Sequence, residues 1–271
     1  MLPGALGPRK PWGQRFSVRE LSLPGPWSRY YGAHLRVQAT EESRYRRPWR
    51  ARASRLESKR DLSTVKNLVQ RKAALRAEQR RRRRAVAPGA GGAAEALADR
   101  LIATFRLPEG VIVSGCGRLA DELDPRPAMR RRAAFRHPFA LPRMQGRGRA
   151  LAGHAWRRGD PLRAGRFGVM EPAAEAPLAR PRGLLVSLAA FDRRGRGLGY
   201  GAGYYDLVLG ELRALCPGPL AIGLAYAAQE VDEVPAGPGD QLLDAVVTEG
   251  AVPRCSEIDG AAPTGLRTGR G

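Results

Sequence analysis

The chain has 271 residues, 43% of them hydrophobic, with 47 Lys+Arg against 26 Asp+Glu and a formal net charge of +21. That length suits one sizeable domain or two small ones, and without an apolar run of about eighteen residues no helix here is long and apolar enough to cross a bilayer. Three cysteines, Cys116, Cys216 and Cys255, stand far apart with no C-x-x-C pair, which argues against a disulfide framework or a zinc site and for a reducing cytoplasm.

In chain order, the first feature is the charge. Residues 1–86 hold 23 Lys+Arg and 6 Asp+Glu, a net of +17, whereas the remaining 185 residues carry only +4. Residues 1–60 are rich in Arg, Pro, Gly and Ser and show no sustained apolar period, so a disordered basic arm is expected. Trp12, Trp27 and Trp49 fall in this arm, and they have no physical account. Such an arm binds nucleic acid only non-specifically. A nucleic-acid-associated protein is the alternative that charge alone supports, with no helix-turn-helix or zinc pattern beside it.

An ordered domain is expected over 61–256. Residues 61–63 supply cap chemistry for a helix over 64–84, whose run of arginines at 80–84 reads as a solvated or phosphate-facing helix end. Pro88 and the Gly/Ala stretch 89–93 break it. A second helix over 94–105 places Leu97, Leu101, Ile102 and Phe105 on one face. There follow a strand at 111–114, a basic helix at 127–135, a strand at 139–141 and a stronger, continuously apolar strand at 184–191. A helix at 204–215, a strand at 220–226 and a strand at 244–252 complete the series. This alternation predicts an α/β fold, a three-layer α/β/α single domain with a largely parallel sheet. Residues 257–271 read as a disordered tail. His137 and His154 form no ligand cluster and read as structural.

The stretch between strand 184–191 and helix 204–215 is dense in glycine: Gly195, Gly197, Gly199, Gly201 and Gly203. Glycine lets the backbone approach a phosphate closely, and N–H groups at a helix start cradle anions. Taken alone, these glycines would serve a tight turn. The loop is neither a Walker A loop nor a dinucleotide fingerprint. Asp206 beside it changes the balance. A carboxylate next to a phosphate cradle calls for a cation, and Mg²⁺ held by one or two carboxylates plus phosphate oxygens is the usual arrangement. By itself Asp206 would be a helix-dipole partner.

GLGYGAGYYD at 197–206 resembles the signature of the 5-formyltetrahydrofolate cyclo-ligase family, also called methenyltetrahydrofolate synthetases. Further motifs follow in order. Lys72, Leu75 and Arg76 are similar to the family's K-x-x-L-R. Glu122, Asp124 and Pro127 resemble its E-[IV]-D-x-x-P, and Leu141, Pro142 and Arg143 match the next strand end. Phe167 through Pro172 is similar to F-G-[IV]-x-E-P, and 224–229, Pro235, Asp240 and 244–249 follow its closing pattern. The resemblance covers roughly 64–252, and residues 1–60 find no counterpart.

The resemblance implies an ATP- and Mg²⁺-dependent conversion of 5-formyltetrahydrofolate to 5,10-methenyltetrahydrofolate, with ADP and phosphate released. It implies ATP binding by Lys72, Arg76, Arg196, Gly197, Leu198, Gly199, Tyr200, Gly201, Ala202, Gly203, Tyr204 and Tyr205. Reduced folate would meet Glu122, Phe167 and Tyr204, and Asp206 and Asp240 would hold Mg²⁺. Two departures stand out. The family's G-x-R-L-G arginine is replaced by Gly197, with Arg196 one place early. Gly239 stands where the family often has His before the second aspartate. A non-catalytic folate- or nucleotide-binding relative is therefore a further alternative.

Overall fold

The computed structural model describes residues 59–255, apart from 120, 135–136, 147, 166–167, 215–217 and 254. The basic arm up to residue 58, the tail, Phe167 and Cys216 thus lie outside the described residues.

Among the described residues there are four α-helices: α1 (Lys59–Val86), α2 (Ala93–Thr104), α3 (Arg126–Ala134) and α4 (Tyr204–Arg213). Ten strands accompany them: β1 (Val113–Ser114), β2 (Phe139–Arg143), β3 (Ala152–Trp156), β4 (Leu162–Ala164), β5 (Met170–Pro172), β6 (Gly183–Ser187), β7 (Ala190–Phe191), β8 (Gly197–Leu198), β9 (Leu220–Leu224) and β10 (Ala245–Val247). Six strands form the central sheet in the order β10-β9-β6-β1-β2-β3. Every pairing in it is parallel except β2 with β3. β4–β5 and β7–β8 are separate antiparallel pairs.

The period of two along β6, β9 and β10 sorts side chains onto opposite faces. Leu185, Ile222, Leu224 and Val247 join Leu97 and Leu101 of α2 and Met129 of α3 in one core. Leu184, Val186, Ala221 and Val246 join Val208 and Leu209 of α4 in the other. The sheet is therefore covered on both sides, which explains the unbroken burial of β9. Truncating Leu185 or Ile222 to Ala would cost about 2–5 kcal/mol. At the end of α2, the buried guanidinium of Arg132 donates to the carbonyl of Phe105, beyond the reach of the helix's own N–H groups, and to that of Leu101, which also accepts from the Phe105 N–H. Both histidines hold backbone carbonyls, His137 that of Val111 and His154 that of Ala176.

Helix α1 differs from the others. It runs 28 residues without proline or glycine and already includes residues 61–63, so these do not cap it. Its positions that are not fully exposed include Leu68, Lys72, Leu75, Arg76, Gln79, Arg83 and Val86 at helical spacing, with Glu78 and Arg80 beside them, and most are polar. Such a face lines a site more than it fills a core. The expected strand 184–191 is two strands. After Ser187 the chain leaves the sheet, and the buried carboxamide of Gln229 donates to the carbonyls of Leu188 (2.7 Å) and Ala189 (2.9 Å) at the bend. β7 then pairs with β8 and carries the chain into the glycine-rich loop.

Candidate functional site

The segments that follow the carboxyl ends of β1, β6 and β9 meet the inner face of α1, at the end of a parallel sheet where ligands bind in open α/β folds.

The glycine loop is shaped by its own sequence. Asp192, 1% exposed, accepts from the backbone N–H of Arg194 (2.9 Å) and Arg196 (3.1 Å) through Oδ1 and of Val234 (2.9 Å) through Oδ2. Gly195 has φ +81°, and a Cβ there would lie 2.7 Å from the Leu243 carbonyl, so the turn requires glycine. Gly203, at φ 68°, precedes α4 and offers no side-chain cap, which leaves the first-turn N–H groups facing outward.

Two carboxylates flank that helix start. Asp206, in the first turn of α4, accepts from the Gln241 N–H at 2.9 Å. Asp240 accepts from the Gly237 N–H at 2.6 Å and from both reaches of Lys72 Nζ, 2.6 Å to Oδ1. Burial raises the Asp206 carboxyl above the usual carboxylate range. The Gln241 N–H works against that shift, neighbouring Asp240 adds to it, and Lys72 opposes it. One turn after Lys72, Arg76 Nε donates to the Gly199 carbonyl at 2.9 Å. Burial depresses the Arg76 guanidinium's pKa, as does Arg80, while Asp240 and Asp206 oppose the shift. Among the described residues no three His, Cys, Asp or Glu side chains converge as a metal cage. Two hard oxygen donors, one of them paired with Lys72, nevertheless suit a small divalent cation completed by phosphate oxygens.

Further along α1 lies a second cluster. Arg83 donates to Asp121 Oδ1 and to the Tyr200 hydroxyl, both at 2.9 Å, and its Nη1 stands 3.9 Å from Glu122 Oε1. Arg80 stacks over the Tyr200 ring at 4.7 Å. Glu122 is buried, and Oε2 accepts from the Leu119 N–H at 2.8 Å. Desolvation raises its carboxyl above the usual range, against the pull of that N–H, of Arg83 and of Tyr200. Of the two expectations for the arginine run, solvated or phosphate-facing, the solvated one fails at Arg83, which is 1% exposed. It fails because seven residues separate Arg83 from Arg76, two helical turns on the same inner face.

A third group closes one side. The Tyr204 hydroxyl donates to Met144 Sδ at 3.5 Å, and the Met144 N–H donates to Glu171 at 3.3 Å. Glu171 is buried within β5 over Gly165.

Not every residue of the expected set faces this space. The Leu198 side chain is buried with Ala190 and Val234. Tyr205 packs between the two cores, and burial lifts its hydroxyl well above its ordinary pKa. Gly197 lies beneath Leu243 and Leu188, whose methyls would meet its Cβ at 2.9 and 3.0 Å. Arg196 turns to Glu233, with Nη1 3.0 Å from Oε1. Asp192, Arg83 and Asp121 were not singled out from sequence, and Gln229 entered only within the 224–229 resemblance. Only Asp192 carried a readable signal, an Asx residue opening a Gly-containing turn.

Residues 68–249 match the model of the 5-formyltetrahydrofolate cyclo-ligase family. The chain belongs to that family. A mitochondrial 5-formyltetrahydrofolate cyclo-ligase of Arabidopsis thaliana is 43% identical over 79 residues, 25% of this chain and 28% of that protein. A 5-formyltetrahydrofolate cyclo-ligase of Haemophilus influenzae is 35% identical over 81 residues, 28% of this chain and 41% of that protein. The chain thus aligns with well under half the length of these curated relatives. The NMR structure of Aquifex aeolicus 5,10-methenyltetrahydrofolate synthetase superposes with a TM-score of 0.56 at 26% identity, covering 68% of this chain and 92% of that one. The cyclo-ligase fold is thus shared across most of the described domain.

Proposed function

We propose that this protein converts 5-formyltetrahydrofolate to 5,10-methenyltetrahydrofolate, consuming ATP with Mg²⁺ and releasing ADP and phosphate. The observation that carries the reading is the meeting of Lys72 and Arg76 with the Gly199–Gly203 segment and the Asp206–Asp240 pair.

A formamide oxygen is a poor leaving group. Transfer of the γ-phosphoryl group to it makes a good one, and N10 of the folate then closes the ring as phosphate departs. For such chemistry a protein chiefly positions its substrates and neutralises charge. Lys72 and Arg76, one turn apart, would grip the triphosphate from one side. The backbone N–H groups of Gly201, Ala202, Gly203, Tyr204 and Tyr205 would take the other. Asp206 and Asp240 would hold Mg²⁺, which when bound offsets charge on the phosphates. Glu122 would accept from the ring N–H groups of the folate, with Tyr204 and Phe167 as flat walls. Cys116 and Cys255 are free and buried, which suits a reducing compartment such as the cytoplasm.

The test is an absorbance assay for methenyltetrahydrofolate with the purified full chain, 5-formyltetrahydrofolate, ATP and Mg²⁺. Product that forms only when all three are present supports the reading. ATP binding without any product would leave a non-catalytic nucleotide-binding relative.

A further inference from the structure

The buried half of α1 holds a cation that the proposed chemistry does not use. Among the described residues Arg83 is the largest of the fully buried side chains. Its Nη2 donates to both Asp121 and Tyr200, while Nη1 has no hydrogen-bond partner and faces Glu122 across 3.9 Å. A buried guanidinium is costly unless it is paired. Here burial works against its charge, but the bonds to Asp121 and Tyr200 outweigh that, and its pKa stands above the ordinary value. The side chain therefore joins three segments that arrive separately: α1, the loop after β1, and the glycine loop.

We propose that Arg83 is a positioning residue for the folate half of the site, fixing Tyr200 and Asp121 and keeping the Glu122 carboxylate ionised and aimed. The inference rests on the cyclo-ligase reading. Glu122 is faced by Arg83 from α1, by adjacent Asp121, by Cys116 from the end of β1, by Tyr200 from the glycine loop and by Tyr205 from α4. Arg118, on its own segment, donates to the Glu122 carbonyl at 3.1 Å. Within this set Arg83 is the buried cation at ion-pair distance from the Glu122 carboxylate. Removing its charge leaves desolvation and the neighbouring Asp121 to push the Glu122 carboxyl further up. An uncharged Glu122 donates where the ionised group would only accept. The same helix carries Lys72 and Arg76, so one face of α1 serves both substrates from opposite ends.

The experiment compares wild type with Arg83→Gln and Arg83→Lys. Readouts are kcat and KM for folate and for ATP across pH, and the Glu122 titration by NMR in ¹³C-glutamate-labelled protein, assigned with Glu122→Gln. Arg83→Gln should raise the folate KM roughly tenfold or more, raise the ATP KM less, and move the acidic limb of kcat/KM to higher pH together with the Glu122 titration. Arg83→Lys keeps the charge but not the fork. It should hold the Glu122 titration near wild type while raising the folate KM. A folded Arg83→Gln with the wild-type titration and KM overturns the proposal. Should Arg83→Gln fail to fold, Arg83→Lys with an unchanged folate KM overturns it equally. The titration reads the role of Arg83 even if the protein shows no turnover, so failure of the cyclo-ligase reading is separately visible.

Discussion

Arg76 donates from Nε to the carbonyl oxygen of Gly199 at 2.9 Å, and its guanidinium carbon lies 3.0 Å from where a Cβ on Gly201 would sit. The glycine loop is therefore shaped against a side chain of α1 as well as by its own turns. Gly201 has φ +104°, a conformation that L side chains rarely adopt. Gly201→Ala should displace Arg76 and strain the loop. The expected outcome is a KM for ATP raised about tenfold or more, from loss of a charge-assisted hydrogen bond, with the folate KM little changed. Steady-state kinetics with each substrate varied would check it.

Asp206→Asn separates a cation ligand from a helix-dipole partner. Asn keeps an oxygen for the Gln241 N–H, so stability without ligands should change by no more than about 0.3–1 kcal/mol. Its neutral amide also removes a carboxylate whose pKa burial has raised. Wild type should gain thermal stability on adding Mg²⁺ with ATP, as any ligand of the native state confers. The variant should lose most of that gain and most of its turnover. Thermal melts with and without Mg–ATP decide; equal gains in both proteins would remove Asp206 from the cation site.

Arg196 pairs with Glu233, and Gly197 is packed beneath Leu243 and Leu188. Arg196→Ala should accordingly alter the ATP KM less than Lys72→Ala or Arg76→Ala does. Gly197→Arg, which restores the family's residue type, should destabilise this protein by about 1–3 kcal/mol, the usual cost of overpacking. A thermal melt would show it. An unchanged melting temperature would mean that Leu243 moves aside freely.

Much of the architecture was legible because β6, β9 and β10 are apolar runs and α2 and α4 carry apolar stripes. What escaped the sequence had local causes. β3, β4 and β5 lie in Gly-, Arg- and Pro-rich chain, so no apolar period emerges. The break at Leu188–Ala189 depends on Gln229, 40 residues away from Ala189, which no local pattern announces. In the site, Asp206 was readable beside the glycine loop, whereas Lys72, Arg76 and Asp240 were named only through the family resemblance. Arg83 was hidden among five consecutive arginines, where only its spacing from Arg76 distinguishes it.

The thiols offer a test of burial. Desolvation raises Cys116 to about 12 and Cys255 to about 11 from the ordinary 9.0. Neither should be alkylated by iodoacetamide at neutral pH in the native protein, because the thiolate is the nucleophile. In the unfolded chain a thiol ionises near 9.0, while in the fold it stays protonated to about 11 or 12. The stability that these groups contribute is thus complete below pH 9 and lost as pH rises through the folded values. Peptide mass spectrometry after timed alkylation, and denaturation curves above pH 9, would check both statements.

Asp192 is the residue on which the geometry of the loop turns. Its Oδ1 accepts from Arg194 and Arg196 within the β7–β8 hairpin, and its Oδ2 accepts from Val234. Val234 packs with Ala190 and Leu198 at the start of the segment that leads to Asp240. One carboxylate thereby ties the hairpin feeding the glycine loop to the strand of chain carrying the second aspartate. Asn would leave one oxygen for the hairpin and turn an N–H group toward the Val234 N–H. That donor facing a donor, buried, costs about 1–3 kcal/mol, or about 2–12 °C in melting temperature for a domain of this size. Kinetics should change as well, because Asp240 and the loop would lose their common anchor: we expect a higher KM for ATP in Asp192→Asn, and a larger stability loss in Asp192→Ala, which leaves all three N–H groups unpaired. If Asp192→Asn melts as wild type does, the bond to Val234 contributes nothing. If it melts lower but binds ATP normally, the hairpin and the Asp240 segment are held in register by Ala190, Leu198 and Val234 alone.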